Sequence, residues 1–495
     1  MPFSVLSNFQ NTINGQPSST PETRHGINPA TGEANPDVPV STQDDVDRAV
    51  KAGQEAFKTW STTPFEERAT ALRAYADAIE EHAGDFAKLL VQEQGKPMQF
   101  ATHEAHTSVS IIRTQTEIAA DLKDEIIEDS AHKRIIVRHT PIGVAVGIIP
   151  WNFPHALTVI KLAPALLTGN VIIIKPSPFT PYCALKLVEL AQRFFPPGVV
   201  QALSGDDRLG PWLTGHPGIG KISFTGSSAT GKKVMESASR TLKRVTLELY
   251  VLLLFSWIVL IKASRRRGGK DAAIVCKDVD VEKVAAEVVS KGLFNSGQVC
   301  LAVKRIYVHA SIYESFLSAA VCYAKTVPVG PGTQDGIFMG PLQNAMQYEK
   351  VKSFIADLAP EQLRLSHGTA QPFDDKGGFF IKPTIIDRPD ERSRIVTDEQ
   401  FGPILPLLSW SDEEDVITRA NASNLGLGAS VWSDDLEEAS RIAKRLQAGS
   451  VWVNTHFEND PRAPSGGHKE SGIGTENGLH GLREWCNLQT LYLRK

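Results

Sequence analysis

Between Arg134 and Leu249 the chain alternates short β-branched runs with helix-patterned stretches, and no other feature narrows the fold so far. Ile135–Val137 and Val144–Ile149, bounded by Gly and Pro, read as strands. Ala163–Leu167 reads as helix, Val171–Ile174 as strand, Tyr182–Phe195 as helix and Val199–Leu203 as strand. Lys221–Phe224 is a further strand, Gly231–Ser239 a helix and Val245–Leu249 a strand. Such alternation predicts an α/β fold with a doubly wound parallel sheet, helices on both faces, and ligands at the carboxyl edge. A second alternating block runs from about Asp271 to about Asn459, and 495 residues suit two or three domains of about 150 each. Upstream, Gln43–Trp60 carries Val46, Ala49, Val50, Gly53 and Phe57 on one helical face, with Ser41-Thr42 as its cap. Phe65–Gln94 continues in helical manner, and the polar first forty residues read as an irregular arm.

Composition removes several classes of function. A net charge of −4 with 42% apolar residues is neither a disordered chain nor a basic nucleic-acid binder. The five cysteines include no CxxC pair, so a reducing, cytoplasmic setting is expected, with no disulfide scaffold and no metal site. Met1–Pro21 has no apolar core of the kind a signal peptide needs. The apolar block Tyr250–Ile261 falls short of the roughly 18–20 residues that span a bilayer, so no membrane attachment is expected.

Five short segments could carry chemistry, each with an ordinary alternative. Cys300 ends FNSGQVC in a predicted loop, where backbone amides could surround its sulfur, or it is a buried structural cysteine. In PWNFP, Pro150 and Pro154 hold Asn152 as a fixed amide donor at the sheet edge, or Asn152 satisfies its own turn. Ser223–Gly231 reads as strand, glycine turn and helix, a phosphate cradle or a plain turn. Lys175, ending a strand, could bond ribose hydroxyls or face solvent. Glu248 lies within the apolar strand VTLEL, where it is a partnered base with a raised pKa or an edge residue facing water.

Taken together, PWNFP, KLAPALLTGN, IKPS, SFTGS, LEL…GGKDAAIV, FNSGQVC, EQFGP, SVWVN and GGHKESGIG occur in an order that resembles the aldehyde dehydrogenases across residues 20–495. The resemblance implies a doubly wound cofactor-binding domain (1–121 and 142–249), an α/β catalytic domain (268–479) and a small β oligomerisation arm (122–141 and 480–495). It implies NAD as cofactor, with NADP as an alternative, an aldehyde as substrate and a homodimer or homotetramer. Cys300 would be the nucleophile, Asn152 and the Cys300 amide the oxyanion hole, Glu248 the base that activates water, and Lys161 the support of that network. Ile149, Trp151, Lys175, Ser177, Gly210, Gly226, Ser227, Gly231, Glu399 and Phe401 would bind the cofactor. Leu157, Ile160, Val299, Leu301 and Phe457 would line an apolar aldehyde pocket.

Three departures stand out. Pro178 occupies a position where many members carry an acid, and the common PFGG reads Pro464-Ser465-Gly466-Gly467. The 18 residues Tyr250–Arg267 interrupt LELGG between Leu249 and Gly268. That interval reads as an aberrant insert, a translated intron: codons for Leu249–Val251 can spell a splice donor, and an Arg267 codon can supply the acceptor. Rival readings are a member impaired by the insert and a CoA-acylating member, which Glu248 argues against.

Overall fold

The computed structural model describes residues 3–249, 269–368 and 377–495; the insert predicted at 250–267 lies outside the described residues. Five parallel strands form the centre of the larger sheet: β1 (Val144–Ile148), β2 (Val171–Lys175), β3 (Val200–Ala202), β4 (Lys221–Gly226) and β5 (Arg244–Leu249). Their order is β3-β2-β1-β4-β5, so the direction of winding reverses between β1 and β4. Neighbouring carboxyl ends diverge at such a reversal and leave a crevice for a ligand. All of β1, β2 and β4 are buried, which explains why these segments read as unbroken apolar runs rather than alternating ones.

Helices cover the sheet as the sequence pattern requires. The first is α1 (Gln43–Trp60), which begins where Thr42 and Asp45 cap each other's backbone amides. α2 (Phe65–Glu81) and α3 (Ala83–Gln94) divide the predicted helical stretch at His82, whose backbone leaves helical geometry ahead of Gly84. α4 (Met98–Ala119) follows them. α5 (Pro154–Leu167) joins β1 to β2, and α6 (Tyr182–Ala191) joins β2 to β3. α7 (Leu209–Gly215) precedes β4, and α8 (Ser228–Ser239) joins β4 to β5. α5 starts nine residues before the predicted helix, because Pro154 sits at its first turn, where no amide hydrogen is needed.

The N-terminal arm is not irregular. Asn11–Ile13 pairs antiparallel with β3, Thr12 opposite Ala202, and with Gln16–Ser18. The polar composition concealed this strand, because it is held by side-chain bonds as well as by Phe9 and Ile13 in the core. Asn11 Nδ2 donates to Ser41 Oγ at 3.0 Å, and Asn11 Oδ1 accepts the Ser204 amide at 2.7 Å.

A second sheet of seven strands contains β6 (Ala272–Val275), β7 (Arg305–His309), β8 (Thr384–Asp387), β9 (Ile404–Trp410), β10 (Gly428–Trp432) and β11 (Ser450–Val453), all parallel. Arg364–His367 pairs antiparallel at its edge. The chain returns to the first sheet at Gly472–Ile473, placing Gly472 opposite Glu248 on β5. Glu125–Asp129, Lys133–Pro141 and Cys486–Arg494 make a separate antiparallel sheet that exposes Ile126, Ile127, Leu488 and Tyr492. Among the described residues no helix is long and apolar enough to cross a membrane.

Candidate active site

A cleft of about 730 Å³ opens at the winding reversal. Ile149, Trp151, Lys175, Ser177, Gly210, Gly226 and Ser227 line it, all residues expected there from the sequence. Ser227 caps α8, its hydroxyl accepting the Thr230 amide at 3.1 Å, so a helix N-terminus faces the cleft with its positive end. Gly231 lies one turn into α8, where a Cβ would meet Leu249 Cδ2 at 2.4 Å. It therefore packs the helix onto β5, and it is not among the residues that line the cleft. Burial pulls the Lys175 ammonium down to about 8, with Asp207 opposing that shift. Arg24 Nε and Thr225 Oγ1 are buried polar atoms with no partner among the described residues, and both residues line the cleft. These features fit a dinucleotide.

Asn152 stands in the turn between β1 and α5. Its Nδ2 donates to the Gln298 carbonyl at 3.1 Å, which fixes the amide plane and leaves a second hydrogen for another acceptor. The turn is held from behind by a pair that sequence reading missed. Lys96 pairs with Glu104, both buried, and donates to the Asn152 carbonyl at 3.1 Å. The other Glu104 oxygen accepts the amides of His155 and Ala156, each at 3.1 Å, so it caps α5 from α4. Nothing in the local sequence signals this network, because its members are brought together only by packing.

The turn carrying Cys300 is built by close backbone contact. Asn295 and Ser296 have left-handed backbones, and a Cβ on Gly297 would meet the Gly402 carbonyl oxygen at 2.4 Å. Only glycine permits that approach. Cys300 is half-buried and packs against Trp151 and Phe401, whose rings meet edge to face at 5.4 Å. Burial pushes its thiol up to about 12, with Lys304 opposing the shift and Glu248 adding to it. Lys304, buried and also missed from sequence, donates to the carbonyls of Val299 (2.8 Å) and Cys300 (2.6 Å) and pairs with Glu399 at 3.0 Å. His456 Nε2 meets the Leu301 carbonyl at 2.7 Å. Its other nitrogen lies 2.9 Å from Ser430 Oγ, which takes the Trp432 Nε1 hydrogen at 3.0 Å. Burial keeps the imidazole neutral, with its pKa down to about 3, so Nε2 carries the hydrogen and Nδ1 accepts from Ser430.

Glu248 is raised well above the usual carboxylate range, first by burial and then by Glu476, while Lys161 opposes both. Its Oε1 has no partner among the described residues. Lys161 Nζ bonds Glu476 at 2.6 Å and Ser223 Oγ at 3.0 Å. The structure thus puts Lys161, Glu476 and Glu248 in one electrostatic group, of which the sequence identified two.

The model of the aldehyde dehydrogenase family matches residues 16–252 and 256–491. The aldehyde dehydrogenase LUC3 of Fusarium sp is 40% identical over 490 residues, which is 99% of this chain and 100% of that protein. Phenylacetaldehyde dehydrogenase of Pseudomonas fluorescens is 35% identical over 485 residues, covering 95% of this chain and 93% of that one. Betaine aldehyde dehydrogenase of Staphylococcus aureus, solved in complex with NAD+, superposes with a TM-score of 0.92 at 31% identity, covering 98% of this chain and 95% of that one. Lactaldehyde dehydrogenase of Escherichia coli gives 0.91 at 33%, covering 98% and 99%. The chain belongs to the aldehyde dehydrogenase family, oxidoreductases that act on aldehydes.

Proposed function

We propose that this protein oxidises a neutral, apolar aldehyde to its carboxylic acid with NAD, through a thioester on Cys300. The observation that carries the reading is the packing of Cys300 on the Trp151–Phe401 pair, because Trp151 also lines the dinucleotide cleft. Cys300 attacks the aldehyde carbon as its thiolate, and the second Asn152 hydrogen with the Cys300 amide receives the negative oxygen. Bound in the cleft, the dinucleotide supplies the hydride acceptor that turns this adduct into a thioester. Glu248, already biased towards holding a proton, takes one from water, and that water releases the acid. Phe153, Phe294 and Phe457 stand together near Asn152, with ring centres 6.4 and 5.8 Å apart, and favour an apolar substrate. The five free cysteines fit a cytoplasmic protein, and the exposed apolar strands of the small sheet fit a homodimer or homotetramer.

Pro178 lines the cleft beside Lys175 and offers no carboxylate against a 2′-phosphate, so NADP is expected as a weaker substitute for NAD. The test is NADH formation from a panel of aldehydes by chains with and without residues 250–267, with free acid measured as product. Acyl-CoA formed on addition of CoA, or no aldehyde-dependent NADH at any substrate concentration, would contradict the reading.

A further inference from the structure

Four consecutive carbonyls, those of residues 298–301, are taken by buried side-chain donors: Asn152 on Gln298, Lys304 on both Val299 and Cys300, and His456 on Leu301. A trans peptide is planar, so its carbonyl and its amide hydrogen point in opposite directions. Every peptide described here is trans. Drawing the Val299 carbonyl onto Lys304 therefore turns the Cys300 amide hydrogen away from Lys304. That hydrogen donates to no backbone acceptor among the described residues. Lys304 gives hydrogen bonds to two carbonyls of the nucleophile's own loop, and its charge is paired with Glu399 at 3.0 Å.

We infer that Lys304 is the positioning residue of the nucleophile, aiming the Cys300 amide into the site and tying that peptide to Glu399. This rests on the reading of Cys300 and its amide given above. Lys304 touches no reacting atom. It acts through two peptide carbonyls and through its positive charge near the thiol, and the two effects separate by substitution. Lys304→Met removes donors and charge at similar length. Lys304→Gln keeps the two donors of an amide NH2 without the charge, and Lys304→Arg keeps the charge and several donors.

The experiment compares kcat, KM and the pH dependence of Cys300 alkylation by iodoacetamide across these variants, each made both in the full-length chain and in the chain without residues 250–267. Alkylation reports on the thiol whether or not the protein turns over. Lys304→Met should lower kcat on the order of 10²-fold, the scale of one oxyanion donor, with KM for the aldehyde changed by less than about threefold. Its alkylation profile should move to higher pH, slowing the reaction at least about tenfold at a fixed pH below the thiol's pKa. Lys304→Arg should recover most of both effects, and Lys304→Gln should recover kcat more than the alkylation profile. If Lys304→Met alone does not fold, Lys304→Met with Glu399→Gln removes the stranded carboxylate and should still show the alkylation shift. A folded Lys304→Met protein with wild-type kcat and an unmoved profile would overturn the inference. Turnover surviving in Cys300→Ser would instead overturn the reading on which it rests.

Discussion

Glu248 stands on β5 with one carboxylate oxygen buried and without a partner among the described residues, and burial together with Glu476 holds its pKa high. A base works only when deprotonated, so a raised pKa places its active form at higher pH. Release of the acid should therefore accelerate as pH rises through the pKa of Glu248, and Glu248→Gln should abolish that limb while leaving the first turnover of NADH. A single-turnover pH series on both proteins checks it. Cys300→Ser should abolish dehydrogenase activity with cofactor affinity nearly intact, because an alkoxide is far harder to form than a thiolate. Asn152→Ala should lower kcat on the order of 10²–10³-fold, and a change confined to KM would mean that Asn152 only places the substrate. The local sequence around these three residues allowed both a catalytic and a structural reading. What the structure adds is their surroundings: the Trp151–Phe401 pair against Cys300, Gln298 beside Asn152, and Glu476 acting on Glu248.

The elements that aim these side chains are fixed by a few tight contacts. Gly231 on α8 lies against Leu249, the neighbour of Glu248, so Gly231→Ala should destabilise the fold by about 1–3 kcal/mol through overpacking. Denaturant unfolding of the variant measures this, and an unchanged midpoint would show that β5 yields freely. Glu104→Ala strands the buried Lys96 ammonium and uncaps α5, which should cost about 3–5 kcal/mol and disturb Asn152. The strands β1, β2 and β4 were legible in sequence because fully buried parallel strands are continuous β-branched runs. The Asn11–Ile13 strand was not, since its place depends on the side-chain bonds of Asn11 to Ser41 and Ser204, and those partners are far along the chain. For the same reason Lys96, Glu104, Lys304 and His456 carry no local mark. Each becomes meaningful only when a distant carbonyl or carboxylate is packed against it.

Across the whole molecule, the first sheet and its turns carry Asn152, Lys175 and Glu248, and the loop of Cys300, tied to Lys304 and Glu399, meets them through the Asn152 bond to the Gln298 carbonyl and the packing of Cys300 on the Trp151–Phe401 pair. The 18 residues 250–267 lie between β5 and β6 in the sequence, and the family match leaves out 253–255 within them. We propose that they are a translated intron, since their removal rejoins Leu249 to Gly268 and preserves the reading frame. Mature transcripts should lack these codons, and the shortened chain should be the more soluble and active form. Predominant transcripts retaining them, with an active full-length product, would refute this. The claim on which the rest depends is that Cys300 carries the acyl group. Acid-quenched mass spectrometry of Glu248→Gln, mixed with NAD and an apolar aldehyde, tests it because loss of the base slows thioester hydrolysis. The account predicts an acyl mass increment on the peptide containing Cys300, rising in step with the first equivalent of NADH. NADH formed while that peptide stays unmodified, or an increment on Cys183, Cys276, Cys322 or Cys486 instead, would contradict it.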